Sequence, residues 1–339
     1  MKIFILVILC ISGGLLIAQP VFALTISPPL YEIGAFPGQV LITGLKIFNE
    51  TERTDTFYFE AQNFRAKENE ESEPFFLIGK EKENLASWIE FPVESVTLDP
   101  GEKKTIDFKI KVPENADPGG HYAAIFLSSL PPTKEGEKTI GVASKIGALV
   151  LLRVEGDIRE EGRLIEFRLK ESKSFYEYPP VDFLVRFENT GTVHIKPAGR
   201  IEIKNLFGKK ISEILVNIAV QPDGKEEPVS NVLPQSIRKF ENSWTKREVE
   251  EMPKGFFEKL KYEKDNFAIG RYKADLCLEY GLSKKTAQGS LSFWVFPWRL
   301  LSVIGTGIVI LLFFVIFSIR KYNRWIINKA SQKIGIKKN

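Results

Sequence analysis

The chain has 339 residues and a formal net charge of +4, from 47 basic and 43 acidic side chains. Lys2 and the eight basic residues from Arg299 onward account for the excess, because without them 38 basic residues face 43 acidic ones, a charge of −5. A negative net charge over most of the chain argues against the basic surface that a nucleic-acid-binding protein needs. With Cys10 and Cys277 as its two cysteines, the sequence excludes a disulfide framework and predicts stabilisation by buried apolar cores.

The first 23 residues have the pattern of a signal peptide. Lys2 precedes an apolar run over residues 3–17, and Val21 and Ala23 are the small residues that bound a cleavage site after Ala23. The alternative is an uncleaved membrane helix, for which the apolar run is short. If the signal peptide is removed, Cys10 leaves with it and Cys277 has no partner in the mature chain.

Period-two alternation of apolar and polar side chains runs through the middle of the chain, which is typical of half-buried strands. Residues 105–112, for example, place Ile106, Phe108 and Ile110 on one face and charged residues on the other. Many short strands separated by Pro, Gly, Asp and Asn turns predict an all-β fold of antiparallel sandwiches. The predicted strands are residues 40–48, 55–61, 105–112, 140–154, 164–169, 181–187, 201–204, 272–280 and 291–295.

An internal repeat divides this region into two domains. Gly120-His121-Tyr122 and Gly270-Arg271-Tyr272 begin similar strands, and the turns led by Asn49 and Asn189 precede them in the same order. Between these landmarks, residues 98–100 (Leu-Asp-Pro) match residues 232–234 (Val-Leu-Pro). We therefore predict two tandem immunoglobulin-like β-sandwiches, over residues 24–155 and 163–296, joined by a linker over residues 156–162.

Two irregular, charged segments interrupt the strand pattern, over residues 65–86 and 241–266, and residues 246–252 of the second are compatible with a helix. Each segment is either a solvated loop, a cover for a sheet edge or a partner-contacting loop, since rigid sandwiches often present function on loops. The candidate partner-contacting residues are Phe75, Phe76, Leu77, Trp244, Phe256 and Phe257.

Residues 301–319 contain no charge and match the length of a membrane-spanning helix. Trp298 precedes them at an expected interface, and the tail over residues 320–339 carries seven basic residues and no acidic one. The positive-inside rule therefore predicts a single-pass protein of the cell membrane with a cytoplasmic C-terminus and extracytoplasmic domains.

Residues that could carry chemistry are sparse. His121 and His194 fall in different predicted domains and are interpreted as surface side chains, and Cys277 lies on the polar face of its strand. No motif of a phosphate-binding loop, a nucleophile elbow or a zinc protease occurs. We therefore expect no catalytic residue, no cofactor and no metal site, although a pair of carboxylates brought together by folding stays open.

Taken together, these landmarks resemble the WxL-interacting surface proteins of Gram-positive bacteria. The resemblance spans the signal peptide, both sandwiches, the membrane helix and the basic tail, and it implies that the first domain binds peptidoglycan and the second a surface partner. No ligand-binding residue of the family is matched to a position here. The segments that carry the resemblance are residues 26–29 (ISPP), 96–102 (VTLDPGE), 118–122 (PGGHY), 187–192 (FENTGT) and 197–199 (PAG).

Tandem sandwiches, a membrane anchor and the lack of a catalytic motif favour a non-enzymatic adhesion or scaffold protein displayed on the cell surface. Two alternatives remain open. The first is a pilus-chaperone-like assembly factor that holds exported proteins by adding a β-strand to a sheet edge. The second is a hydrolase that uses a pair of Asp or Glu side chains.

Overall fold

A computed structural model of the chain describes residues 24–67, 70, 73–77, 84–131, 145–246 and 253–334. The predicted signal peptide and most of the predicted helical segment 246–252 lie outside the described residues. The chain divides into two compact units. Unit 1 comprises Met1–Gly162, Glu188–Ile195 and Asn231–Arg238, and unit 2 comprises Arg163–Phe187, Lys196–Ser230 and Lys239–Asn339. Unit 1 thus includes two short segments of the region that was expected to form the second sandwich.

The first half of the chain contains ten described strands and one short helix. They are β1 (Leu24–Ser27), β2 (Leu30–Ala35), β3 (Val40–Asn49), β4 (Asp55–Ala66), β5 (Pro74–Phe76), α1 (Leu85–Trp88), β6 (Ile89–Glu90), β7 (Ser95–Leu98), β8 (Lys103–Lys111), β9 (Gly119–Ser128) and β10 (Lys145–Val154). One sheet has the order β1-β3-β8-β6, and the other has the order β2-β10-β9-β4-β5, with β7 paired to β4. β2 runs parallel to β10.

The two sheets of unit 1 enclose one apolar core. Ile47 and Phe108 from the first sheet and Leu127 and Val150 from the second belong to the same buried cluster. Alternation explains this arrangement, because every second side chain of a strand points to the same face. The described part of unit 1 is therefore a β-sandwich, as the alternation predicts.

The second half of the chain contains ten strands and two described helices. They are β11 (Gly162–Leu169), β12 (Phe175–Tyr176), β13 (Val181–Asn189), β14 (Ala198–Lys204), β15 (Lys210–Val216), β16 (Ile218–Val220), β17 (Glu226–Pro228), β18 (Ser236–Trp244), α2 (Phe256–Asp265), β19 (Gly270–Tyr280), β20 (Lys285–Val295) and α3 (Trp298–Ile334). The sheets have the orders β11-β13-β18 and β12-β20-β19-β14-β15, and β16 and β17 form a separate hairpin.

Aromatic side chains join the two larger sheets of unit 2. The ring of Phe293 on β20 lies 5.8 Å from the rings of both Phe183 on β13 and Trp244 on β18, measured between centroids. All three side chains are buried. Large aromatic rings bury much apolar area each, so the burial of these three side chains stabilises unit 2.

Helix α3 differs from the rest of the chain because its apolar side chains are exposed. The segment Trp298–Ala330 is long and apolar enough to cross a membrane by length and composition, and none of its most apolar part is buried. The predicted span, residues 301–319, lies within this helix, and the helix continues into the basic tail.

Two buried asparagines stabilise turns of the fold through side-chain hydrogen bonds to the backbone. Asn49 ends β3 with no exposed surface, and its Oδ1 accepts a hydrogen bond from the Thr51 N–H over 3.0 Å. Its Nδ2 donates to the carbonyl oxygens of Arg53 (2.9 Å) and Leu98 (3.0 Å). The side-chain amide of Asn49 therefore links the turn after β3 to the end of β7 by hydrogen bonds.

Asn189, at the end of β13, makes the same set of bonds as Asn49. Its Oδ1 accepts from the Gly191 N–H over 2.9 Å, and its Nδ2 donates to the carbonyl oxygens of Val193 (2.8 Å) and Val232 (2.7 Å). Each asparagine thus bonds to the backbone two residues and four residues further on, and to the first residue of the matched Leu-Asp-Pro or Val-Leu-Pro segment. This shared pattern supports the internal repeat.

We expect Asn49→Ala and Asn189→Ala each to reduce the free energy of unfolding by about 1–3 kcal/mol, because each removes the hydrogen bonds that a buried side-chain amide makes to the backbone around its turn. Thermal unfolding of the full chain in detergent, followed by circular dichroism, measures the effect. Asn115→Ala is the matched control, since Asn115 is exposed, and it should change stability by less than about 0.5 kcal/mol. Equal melting temperatures for all three variants would contradict the stabilising role.

Candidate functional site

The outer face of the five-stranded sheet of unit 2 carries an open groove with a volume of about 1100 Å³. The hairpin β16–β17 forms one side of the groove, and strands β14, β19 and β20 form its floor. The polar and charged residues that line it are Lys196, Arg200, Glu202, Glu226, Lys273, Asp275, Cys277, Glu279, Lys284, Gln288 and Ser290.

Strand alternation makes this face polar. In β19, Leu276 and Leu278 point into the core while Cys277 and Glu279 point outward, so the Cys277 thiol is exposed on the floor of the groove, as the alternation predicts. Gly199 of β14 allows the two strands to approach closely, because a Cβ atom there would lie 1.9 Å from the carbonyl oxygen of Cys277.

Ion pairs connect the hairpin and the strands around the groove. Arg200 of β14 pairs with Glu226 of the hairpin, which holds the hairpin over the sheet. The ammonium of Lys204, at the end of β14, lies 3.0 Å from Asp275 and 3.1 Å from Glu202, and both carboxylates line the groove. Exposed pairs of this kind contribute little stability, but they order the side chains that a ligand would meet.

Neighbouring charges shift the titration of these groups. Hydrogen bonds from Lys204 and then Lys210 hold the pKa of Glu202 below its ordinary value. The hydrogen bond to Asp275, followed by that to Glu202, raises the pKa of Lys204. Both shifts favour the charged forms, so at neutral pH the groove presents fixed charges of both signs. It can bind a polar ligand by hydrogen bonds and ion pairs.

A second polar cluster in unit 2 holds the beginning of α3. Glu263 of α2 has no exposed surface, and its Oε1 accepts a hydrogen bond from the Arg299 guanidinium over 2.9 Å. Its Oε2 accepts from the Leu300 N–H over 2.7 Å. A carboxylate at a helix N-terminus satisfies a free backbone N–H and interacts favourably with the helix dipole.

Glu177 completes this cluster from the segment that follows β12. Its carboxylate accepts hydrogen bonds from the Trp298 indole N–H (3.0 Å) and from the Arg299 guanidinium (2.7 Å). The bond from Arg299 is the main reason why the pKa of Glu177 lies below its ordinary value. The first three residues of α3 are therefore held by two carboxylates.

The structure separates the aromatic residues that were predicted to contact a partner. Phe75 is exposed on β5, whereas Phe76 packs against Phe64 and Phe126 and covers part of the sheet. Leu77 follows β5 and is half-buried. Partner contact through these three residues stays a prediction.

Trp244 was predicted to be a contact residue in an irregular segment, and this prediction is wrong. Its side chain is 1% exposed because Trp244 ends β18 and packs on Tyr272 and Phe293. Phe256 and Phe257 instead open helix α2, where they are 44% and 81% exposed. They are available for contact, in contrast to Trp244.

The two histidines lie in local structural contacts. Both ring nitrogens of His121 face oxygen atoms, the Asn84 Oδ1 at 2.6 Å and the Asp117 carbonyl at 2.8 Å, and its ring lies 4.6 Å from that of Trp88. The His194 N–H donates to the Tyr122 hydroxyl over 2.9 Å. Within the described ranges, no group of three or more His, Cys, Asp or Glu side chains has an arrangement that could hold a metal ion.

Sequence reasoning missed the groove and the role of Glu263. The alternation in β19 identified the outward-facing residues, but the overlying hairpin could not be placed by that pattern. Arg299 was counted only as the first of the basic residues near the predicted membrane span, and nothing in its neighbourhood in the sequence indicates that its partner lies 36 residues earlier.

No protein-family profile matches the chain. No curated protein matches it either. Solved structures with a similar arrangement include the class 5 fimbriae chaperone CfaA (10% identity, 81% of this chain and 100% of that chain covered, TM-score 0.35). Others are the Pseudomonas aeruginosa chaperone CupB2 (7%, 80% and 100%, 0.33) and the E. coli chaperone DraB (10%, 81% and 98%, 0.31). At such low identities and TM-scores, these similarities carry no information about what this chain binds.

We expect Glu263→Ala to destabilise unit 2 by about 3 kcal/mol, because it leaves the buried Arg299 guanidinium with one partner in place of two. Thermal unfolding of the full chain in detergent measures the change. Asp265→Ala is the matched control on the same helix, since Asp265 is exposed. Similar melting temperatures for both variants would contradict the assigned role of Glu263.

The Glu177 contact should depend on pH. Because its pKa in the folded chain is below the ordinary value of 4.5, its contribution to stability is complete above that value and is lost as the pH falls below it. Glu177→Gln should lower stability at neutral pH by up to about 1 kcal/mol, since the side chain is 45% exposed.

The difference between wild type and Glu177→Gln should then shrink as the pH is lowered from about 7 to about 3. Melting temperatures across this range provide the measurement, with Asp265→Asn as the control. A difference that stays constant with pH would show that the carboxylate charge is not what stabilises the junction.

Proposed function

We propose that this chain is a non-enzymatic, membrane-anchored binding protein of the cell surface. In this proposal α3 crosses the membrane, two tandem immunoglobulin-like sandwiches stand outside, and the basic tail lies in the cytoplasm. The observation that carries the proposal is the exposed apolar helix α3, whose first turn is fastened to unit 2 through Glu263. A membrane helix whose first turn has a fixed position on the adjoining unit suits a protein that presents a folded domain outside the membrane.

The groove of unit 2 is the proposed binding site for a surface partner. Its lining combines basic side chains such as Lys273 and Lys284 with acidic ones such as Asp275 and Glu279, and Gln288 supplies an amide. Such a surface suits a polar segment with charges of both signs, because charge-assisted hydrogen bonds give specificity at a wet interface. The resemblance to WxL-interacting proteins agrees with a surface partner for the second domain and with peptidoglycan for the first.

A second candidate function is the assembly of exported proteins by strand addition. Strand β10 pairs with β9 along its whole length, but β2 pairs only with Leu149–Val154. In the pairing that the described residues show, Lys145–Ala148 therefore keeps an open edge. An extended segment of another protein could add a strand there through backbone hydrogen bonds.

The test of the proposed function is capture by the full chain in lipid nanodiscs, with purified peptidoglycan fragments and envelope proteins offered separately. We expect retention of a partner, and Lys284→Glu in the groove should weaken it roughly tenfold if one charge-assisted contact of about 1.4 kcal/mol is lost. Lys239→Glu is the matched control, because Lys239 is exposed on β18 of the other sheet.

No retention of either fraction by the wild-type chain would overturn the binding proposal. If Lys284→Glu and Lys239→Glu retain the partner equally well, the groove is not the binding site. If exported subunits stay soluble only in the presence of the chain, and Lys284→Glu leaves that effect intact, strand addition at β10 is the better explanation.

A further inference from the structure

One end of the five-stranded sheet in unit 2 lies where α3 begins. Gly270, the first residue of β19, pairs with Val295, the last residue of β20, and α3 starts at Trp298. On the neighbouring strand β12, Phe175 pairs with Trp294. The register therefore places the start of β19, the end of β20 and strand β12 at the same end as the beginning of α3.

The turn between β14 and β15 reaches this end as well. Lys204 pairs with Lys273, and the next residues extend beyond that pair toward the start of β19. Leu206 and Phe207 in the turn line a small pocket of about 310 Å³ together with Ile269 and other residues at the start of β19. The turn and the beginning of α3 thus share one end of the sheet.

Exposed aromatic side chains are concentrated at this end. Six of them form what we call the interfacial collar: Phe175, Phe207, Phe256, Phe257, Trp294 and Phe296. Their exposed fractions range from 44% to 89%, which is unusual for rings that bury well. The one other exposed Phe or Trp among the described residues of unit 2 ahead of α3 is Phe267, which lies three residues before the start of β19.

Ring contacts tie the collar to the helix. The rings of Phe256 and Trp298 lie 6.4 Å apart, and those of Phe256 and Phe257 lie 5.5 Å apart. On β12 and β20, Phe175 stacks on Trp294 with a centroid distance of 6.2 Å. The collar therefore contacts the first turn of the apolar helix through Phe256.

The charge of α2 is compatible with a lipid headgroup region. Lys259, Lys261 and Lys264 lie on this helix, where Glu258 and Asp265 are the exposed acidic residues. Glu263 is already paired with Arg299 inside the protein. A modest excess of lysine next to a membrane is attracted to anionic lipid.

We infer that the interfacial collar docks unit 2 onto the surface of the lipid bilayer around the point where α3 enters it. Aromatic rings favour the membrane–water interface, where the apolar ring is shielded and polar groups stay hydrated. A helix rises about 1.5 Å per residue, so residues beside its first turn lie within a few ångströms of its entry depth. This inference rests on the proposed anchoring by α3 and adds that the unit itself contacts lipid.

The test uses the full chain with Cys10→Ser and Cys277→Ser, in vesicles of phosphatidylcholine and phosphatidylglycerol. Single cysteines introduced by Phe207→Cys or Phe257→Cys carry a nitroxide label, and its collisions with oxygen and with a water-soluble nickel chelate are compared. Both residues are more than four-fifths exposed, so their replacement leaves the core intact. Leu282→Cys, at the opposite end of the same sheet, is the matched control.

We expect the labels at positions 207 and 257 to collide more with oxygen than with the nickel chelate, and the label at 282 to show the reverse order. A label introduced by Val315→Cys within α3 reports the anchor separately. If position 315 is lipid-exposed while 207 and 257 behave like 282, the collar inference is overturned and the anchoring stands.

Two further outcomes also decide the matter. If position 315 is itself water-accessible, the anchoring fails and the collar inference fails with it. If 207 and 257 are shielded from both reagents in vesicles that hold no other protein, the collar binds another copy of the chain, which overturns docking on lipid.

Discussion

Burial of the Glu263 carboxylate beside Arg299 is the constraint on which the layout of unit 2 depends. Among the described residues, these two are the charged side chains that are buried, and a buried charge is tolerated only when it is paired and hydrogen-bonded. Glu263 meets that condition by bonding to Arg299 and to the Leu300 N–H at once. The first turn of α3 therefore has a defined place on unit 2, and an apolar helix becomes a fixed continuation of a β-sheet domain.

The groove and the interfacial collar follow from where the same sheet places its side chains. Alternation along β19 and β20 sends apolar residues inward and polar or charged residues to the outer face, which forms the floor of the groove. At the end of the sheet, alternation stops and turn residues such as Phe207 project into solvent. The two surfaces therefore differ in character, since one is polar and carries paired charges while the other is aromatic and adjoins the apolar helix α3.

Much of the fold was predictable because its signals are local. Alternation located β8, β13 and β19 within one or two residues, and the repeat indicated that Asn49 and Asn189 occupy equivalent turns. Trp244 shows where local reasoning fails. It lies among charged residues and looked like part of a loop, yet Tyr272 and Phe293 supply a ring-lined site that buries it.

The sequence by itself determined the β-strand periodicity, the apolar segment of α3 and the charge difference between the tail and the rest of the chain, because each depends on neighbouring residues. Only the tertiary structure decided that Glu263 meets Arg299, that Asn49 meets Leu98 and that the hairpin β16–β17 overhangs β14. These contacts join residues 36 and 49 positions apart in the first two cases. Their formation depends on strand order and register, which arise when the sheets pair and pack and are not encoded in any short stretch of sequence.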